Sequence, residues 1–149
     1  MVIHTTPCVR IDYGKGSEIL LISWLKKPGN EEFKDAYTAA LQLVTSAYPT
    51  TLFCTDLSLS GALDYDQENW LFQEYYSQVN KMIKAEIYAA VVFSEAHFKA
   101  LITNYKVVEL EKDHPFMHFN YFTQTEEAFH WLRSMKKGQD ALLLSNSSS

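Results

Sequence analysis

A chain of 149 residues fits one domain with a sizeable core, since single cores commonly serve about 100 to 200 residues. Its 47% hydrophobic and 14% aromatic content excludes the disordered class, whose members bury too little to offset chain entropy. A formal net charge of −5 without a basic stripe opposes sequence-independent nucleic-acid binding, which needs Lys and Arg to neutralise phosphates.

The opening MVIHTTPCVRIDY lacks a basic n-region and a continuous apolar h-region, so no secretory signal is expected there. No apolar run approaches the roughly 20 residues that cross a bilayer, so membrane insertion is not expected. Val9, Ile11 and Tyr13 then alternate with Arg10 and Asp12, predicting a strand with one wet face. The Gly14-Lys15-Gly16-Ser17 turn leads into the run EILLISWL, and residues 8–25 read as an antiparallel hairpin. Its first strand is expected at or near a sheet edge, where Pro7 is tolerated.

Pro28-Gly29-Asn30 ends the second strand, and Asn30 is the expected cap of a helix carrying Glu31 and Glu32 in its first turn. Phe33, Tyr37, Ala40, Leu41, Val44 and Tyr48 recur at helical spacing, and Pro49 stops the run. The third strand, Thr51 to Leu57, leads into a Ser58-Leu59-Ser60-Gly61 loop. Asp64 or Asp66 can cap the next helix, and Asp64 with Gln67 has capping-box spacing. That helix presents Leu71, Tyr75, Val79 and Met82, flanked by Trp70 and Ile83. The fourth strand, Ile87 to Phe93, is apolar on both faces, as a central parallel strand covered on both sides should be.

Ser94 is a natural cap for a third helix with Phe98, Leu101, Ile102 and Tyr105 inward. Val107 to His114 is charged and irregular. Met117, Phe119 and Tyr121 alternate with His118 and Asn120 in a fifth strand. Thr123 and Glu126 have capping-box spacing before a last helix with Ala128, Trp131, Leu132 and Met135 inward. Gly138 is expected to end it, which places Lys136 and Lys137 against its negative dipole end. Ala141 to Leu144 can dock on the body or on a partner, and the SNSSS tail is expected to be disordered.

Strands alternating with helices of ten or more residues predict a single α/β domain over residues 1–138, with residues 139–149 an at least partly disordered tail. The sheet should have about five strands, mostly parallel after an N-terminal hairpin, with about four helices. Two cysteines, Cys8 and Cys54, are too few for a disulfide framework and point to a reducing, cytoplasmic setting.

The succession strand, strand, helix, strand, helix, strand, helix, strand, helix resembles that of the STAS superfamily, whose reference members are SpoIIAA-like anti-sigma-factor antagonists. More narrowly, the chain is similar to small bacterial SpoIIAA-like proteins in several short motifs. These are Trp24 in the second strand, the EEFK helix start at Glu31 to Lys34, and Asp56 at a strand end. The D-x3-W-L start from Asp66 to Leu71 and the terminal Glu127, Ala128, Trp131 and Leu132 complete the set. The resemblance covers nearly the whole chain and implies a binding or regulatory module.

Anti-sigma antagonists place a phosphorylatable Ser after a D-S-S-G-type segment, whereas the loop here reads D-L-S-L-S-G from Asp56 to Gly61. Asp56, Ser58 and Ser60 are therefore candidates for a phospho-switch or ligand loop, because a phosphate near a helix N-terminus is stabilised there. The competing expectation is that both serines bond their own turn backbone.

Catalytic signatures are missing: Cys54 lies in an apolar strand without a local base, no G-x-S-x-G elbow occurs, and Gly14-Lys15-Gly16 lacks phosphate-loop spacing. An acceptor role for Asp56 similar to that of response-regulator receivers would imply the acidic pair after the first strand and the Lys after the last that those proteins share, and neither occurs at the comparable strand ends. His114 and His118, with Glu111 or Asp113, are the best metal candidates, yet no regular element aims both rings at one point. His97 and His130 are expected on wet helix faces. No catalytic, cofactor or metal residue is therefore assigned.

The surplus of aromatics is the remaining feature. One helix cannot turn Trp70, Phe72, Tyr75 and Tyr76 all inward, so Tyr65, Trp70, Phe72 and Tyr76 are candidates for an interaction surface or a pocket wall. The favoured expectation is a non-enzymatic STAS-like module acting through a protein partner or a homodimer. The alternative is a carrier of a small apolar or lipid-like ligand, similar in outline to the CRAL-TRIO fold, which should enclose about 300 Å3 or more. An enzyme of unrecognised type comes third.

Overall fold

The computed structural model describes residues 1–61, 63–104 and 114–147, with the side chains of 100–104 and 141–147 left aside. Six strands run in chain order across one mixed sheet: β1 (Val2–Thr5), β2 (Val9–Tyr13), β3 (Ile19–Trp24), β4 (Leu52–Asp56), β5 (Ile87–Val92) and β6 (Met117–Phe122). The first two pairings are antiparallel and the remaining three parallel, an α/β fold with the hairpin where the alternation places it. The sheet has six strands rather than five, because Val2–Thr5 pairs with β2 and displaces it from the edge. Four residues without alternation carry no strand signal of their own; the exposed donors and acceptors of β2 supply it.

The helices are α1 (Asn30–Ser46), α2 (Tyr65–Trp70), a π-helical turn (Leu71–Tyr75), α3 (Tyr76–Ile83), α4 (Glu95–Asn104) and α5 (Thr125–Ser147). As α2, the π turn and α3 are continuous, the described residues form four helical runs. Each β-strand from β3 to β6 adds beside its predecessor, and crossovers share one hand, so the connecting helices fall on one face. The larger core lies there: Trp24, Phe33, Tyr37, Leu71, Tyr75 and Val79 close over Ile11, Leu20, Ile22 and Ile87. The last helix follows the last strand and is not a crossover. It folds across the other face, burying Ala128 and Leu132 against Ile19, Leu52, Cys54, Ala90 and Val92. Thus β5 supplies both cores, Ile87 and Ala89 to one and Ala90 and Val92 to the other, as its two-sided apolar run predicts.

Several helix ends differ from the sequence expectation. Gly29, not Asn30, is the N-cap of α1; no side chain caps it, and Asn30 is already helical. Thr123 lies two residues before the first helical residue of α5, outside the cap position. Met82 is 52% exposed, because Leu71, Tyr75 and Val79 complete the buried stripe and α3 ends at a left-handed Lys84. Gly138 does not stop α5, which continues to Ser147; space is open around it, and one Gly costs a helix only about 1 kcal/mol relative to Ala. Lys136 is therefore mid-helix, and its Nζ lies 2.6 Å from Glu18 Oε2, tying α5 to the β2–β3 turn. The inward assignments of Leu101, Ile102 and Tyr105 and the docking of Ala141 to Leu144 fall outside the described residues or side chains.

The capping box is present. Asp64 Oδ1 accepts from Gln67 N at 2.9 Å, and Gln67 Oε1 accepts from Asp64 N at 3.1 Å. Gln67 is 2% exposed, and its Nε2 donates to the Pro28 carbonyl at 3.1 Å, which binds the start of α2 to the β3–α1 connection. Asp64→Ala is expected to lower stability by about 1 kcal/mol in urea unfolding, the usual worth of such a cap. An unchanged midpoint would show the box to be idle.

Candidate functional site

The carboxyl ends of the parallel strands are where α/β sheets ordinarily handle ligands, in a crevice made where strand order reverses. Strand order does not reverse between β3 and β6, so no such crevice opens beside Asp56. Asp56 Oδ1 instead accepts from Ser58 N at 2.9 Å, an Asx turn. Ser58 is exposed. Ser60 Oγ lies within hydrogen-bond reach of the Leu57 and Gly61 carbonyls, and Gly61 takes the left-handed backbone at φ 76°. Asp64 occupies the cap of the following helix, so its free N–H groups are partly used before any phosphate could reach them.

The aromatic candidates are absorbed by a device the sequence reading lacked. In the π turn the Tyr76 N–H bonds the Leu71 carbonyl, one residue further back than in an α-helix, and the inward face widens. Trp70 stacks on Tyr75 with centroids 5.3 Å apart, Tyr75 meets Tyr37 edge-on at 5.1 Å, and Tyr76 meets Phe119 at 5.6 Å. Phe72 packs on Tyr76 and beside His114, whose Nε2 lies 2.8 Å from the Phe72 carbonyl. So Trp70, Phe72 and Tyr76 are half-buried members of one aromatic layer, and only Tyr65, 77% exposed, lies out in solvent.

Beneath this layer lies a cavity of about 80 Å3 between α1, the π turn and the sheet. Its wall is mainly apolar, with Tyr37, Thr55, Tyr75 and Tyr76 as the hydroxyl-bearing residues. The Tyr75 hydroxyl is committed, donating to the Tyr37 carbonyl at 2.9 Å. Burial raises the pKa of Tyr37, Tyr75 and Tyr76, so all three phenols stay neutral donors, and ionising Tyr76 would meet the field of the other two. The Trp24 indole N–H, in a residue 1% exposed, makes no hydrogen bond of ordinary geometry. It faces the Tyr37 phenol, as the Thr55 hydroxyl does, and both hold the Tyr37 pKa down against burial.

Sequence reasoning missed Tyr37, Tyr75 and Thr55 as residues of this cavity. Trp70 and Tyr75 stand five residues apart yet stack, a spacing that signals a π turn only once the shared face is known.

The other chemical candidates separate. The Cys54 thiol is pushed up to about 12 by burial and by Asp56, far from a reactive thiolate. Cys8 donates to Glu32 Oε2 at 2.5 Å, which raises its pKa. His118 pairs with Glu86 Oε2 at 2.6 Å and stacks on Tyr88, on the α5 side of the sheet, while His114 is committed on the other side. Glu111 and Asp113 lie outside the described residues, and among those described no group of three or more His, Cys, Asp or Glu could hold a metal. His130 is exposed as expected; His97 is not on a wet face but half-buried edge-on to Phe93 at 4.6 Å, because α4 turns that ring inward. Among the described residues no helix is long and apolar enough to cross a membrane. No family model, curated protein or solved structure matches this chain.

Proposed function

We propose that the chain is a non-enzymatic binding or regulatory module of the STAS-like type that acts through protein contact, with self-association as its simplest form. The observation that carries this reading is the placing of exposed apolar side chains. Leu25 follows β3, Leu59 follows β4 and Tyr65 opens α2, so all three belong to connections at the carboxyl end of the parallel strands. They are 44%, 72% and 77% exposed on loops that Gln67 and Leu57 fasten to the body. Apolar groups held out on anchored loops favour docking, since they lose little entropy on binding. The strand–helix succession and the resemblance of Trp24, Asp56 and Trp131 to the SpoIIAA-like motifs support the same class. A carrier of a lipid-like ligand needs several times the 80 Å3 of the apolar cavity under the aromatic layer.

Native mass spectrometry of protein purified from its own host tests the proposal. The expected result is a species heavier than the 17.2 kDa chain, lost in the Leu59→Ser, Tyr65→Ser double variant at unchanged thermal stability. A bare monomer at every concentration, or an assembly indifferent to both substitutions, would overturn it.

A further inference from the structure

We infer that a cleft at the amino ends of the parallel strands is a binding site for a small aliphatic zwitterion, an amino acid whose ammonium meets Glu18 and whose carboxylate meets Lys136. The cleft measures about 470 Å3, inside the range of about 300–1,000 Å3 usual for small-molecule sites. Glu18 and Thr51 stand just before β3 and β4, and Ala85 shortly before β5, so the cleft is at the opposite end of the sheet from Leu25, Leu59 and Tyr65. It goes beyond the protein-contact reading and stands or falls apart from it.

Three features of the wall point to such a ligand. Opposite charges border one space: Lys136 Nζ and Glu18 Oε2 come from α5 and the β2–β3 turn, and both side chains are partly exposed, so solvent screening makes the pair easy to open. An incoming ammonium and carboxylate would replace one ion pair by two and leave no charge unmatched. On the α1 side the wall accepts rather than donates. Thr45 Oγ1 donates to the Leu41 carbonyl at 2.8 Å, which leaves its oxygen as an acceptor, and α1 has no basic residue in its last turn to offset the negative dipole end. An ammonium beside Val44 and Thr45 therefore meets a favourable field. Finally, Val44, Pro49, Met82 and Ile83 supply apolar contact for an aliphatic side chain, and Met82 is 52% exposed until something covers it.

The backbone around the cleft is also held away from relaxed geometry. Glu18 at φ 60° and Lys84 at φ 54° are the left-handed non-glycine residues among those described; the first lines the cleft, and the second separates Ile83 from Ala85, which both line it. Glu18 is kept there by its N–H, which donates to the Gly14 carbonyl at 2.7 Å, and by the Thr50 hydroxyl, which donates to the Glu18 carbonyl. Such conformations cluster at ligand clamps.

L-Leucine is the probe, titrated into the full chain and followed by calorimetry and amide chemical shifts, with isopentylamine and isocaproate as counterparts that each lack one charged end. Saturable leucine binding with a Kd of about 1 mM or tighter is expected, with shifts centred on Glu18, Thr45, Thr51 and Lys136. Each counterpart should bind about tenfold more weakly, the loss of one charge-assisted contact. Glu18→Gln should weaken leucine about tenfold without weakening isocaproate, and Lys136→Met should do the same without weakening isopentylamine. No saturable leucine binding, equal affinity for either counterpart, shifts centred outside the cleft, or leucine affinity unaltered in either variant would each overturn the assignment. The counterparts are titrated against the unmodified protein, so a variant that fails to fold leaves the test standing.

Discussion

Trp24→Ala is expected to cost about 3–5 kcal/mol of unfolding free energy, the range for removing a large aromatic from a closed core. The indole is 1% exposed, stacks on Phe33 at 5.6 Å and lies 6.0 Å from Tyr37, so its loss opens a hole between the hairpin and α1. Rings on two different helical runs cannot all relax into that hole, because Tyr37 is also held by Tyr75 through ring and backbone contacts. Urea unfolding at constant m-value measures the loss. Tyr65→Ala, at a residue 77% exposed, is the control and should stay within about 0.5 kcal/mol. A Trp24→Ala loss below 1 kcal/mol would mean that the aromatic layer is not the keystone of the larger core.

Stability should also fall steeply above pH 9. The Cys54 thiol is raised from 9.0 to about 12, so between those values an unfolded chain releases a proton that the folded chain retains. Its contribution is fully present below pH 9 and is lost as pH rises toward 12, about 4 kcal/mol in all at 1.36 kcal/mol per pH unit. The phenols of Tyr13, Tyr37, Tyr75 and Tyr76 are raised from 10.0 as well, chiefly by burial, and add losses in the same direction above that pH. Urea midpoints should therefore decline from pH 9 upward, with a shallower first decline in Cys54→Ala. Tyrosinate absorbance should lag behind that of the urea-unfolded protein and jump at alkaline unfolding. Normal titration of Tyr37, Tyr75 and Tyr76 in the folded state would show that solvent reaches the layer.

The contrast between the hairpin and the π turn shows where sequence information stops. Alternation in Val9, Ile11 and Tyr13 has a period of two, and only a strand can satisfy it; the Asp64–Gln67 spacing likewise permits one local answer, and the structure realises it. The same local logic expects Asn30 to cap α1 and Gly138 to end α5. Both expectations fail because such signals are worth about 1 kcal/mol, and a helix continuing or starting in register with its neighbours outweighs them.

The sequence by itself determined the α/β class, the hairpin, the parallel central strand and the apolar side of α1 and of α5, since all of these follow from periodicity in side chains near one another along the chain. Tertiary structure alone decided that Val2–Thr5 would pair, that α5 would cover the face the crossovers leave bare, and that one π turn would carry Trp70, Tyr75 and Tyr76 into a single layer. Those outcomes depend on backbone edges and ring shapes meeting across distances that no local pattern encodes. The cavity between Tyr37, Thr55 and Tyr76 exists only because they met that way.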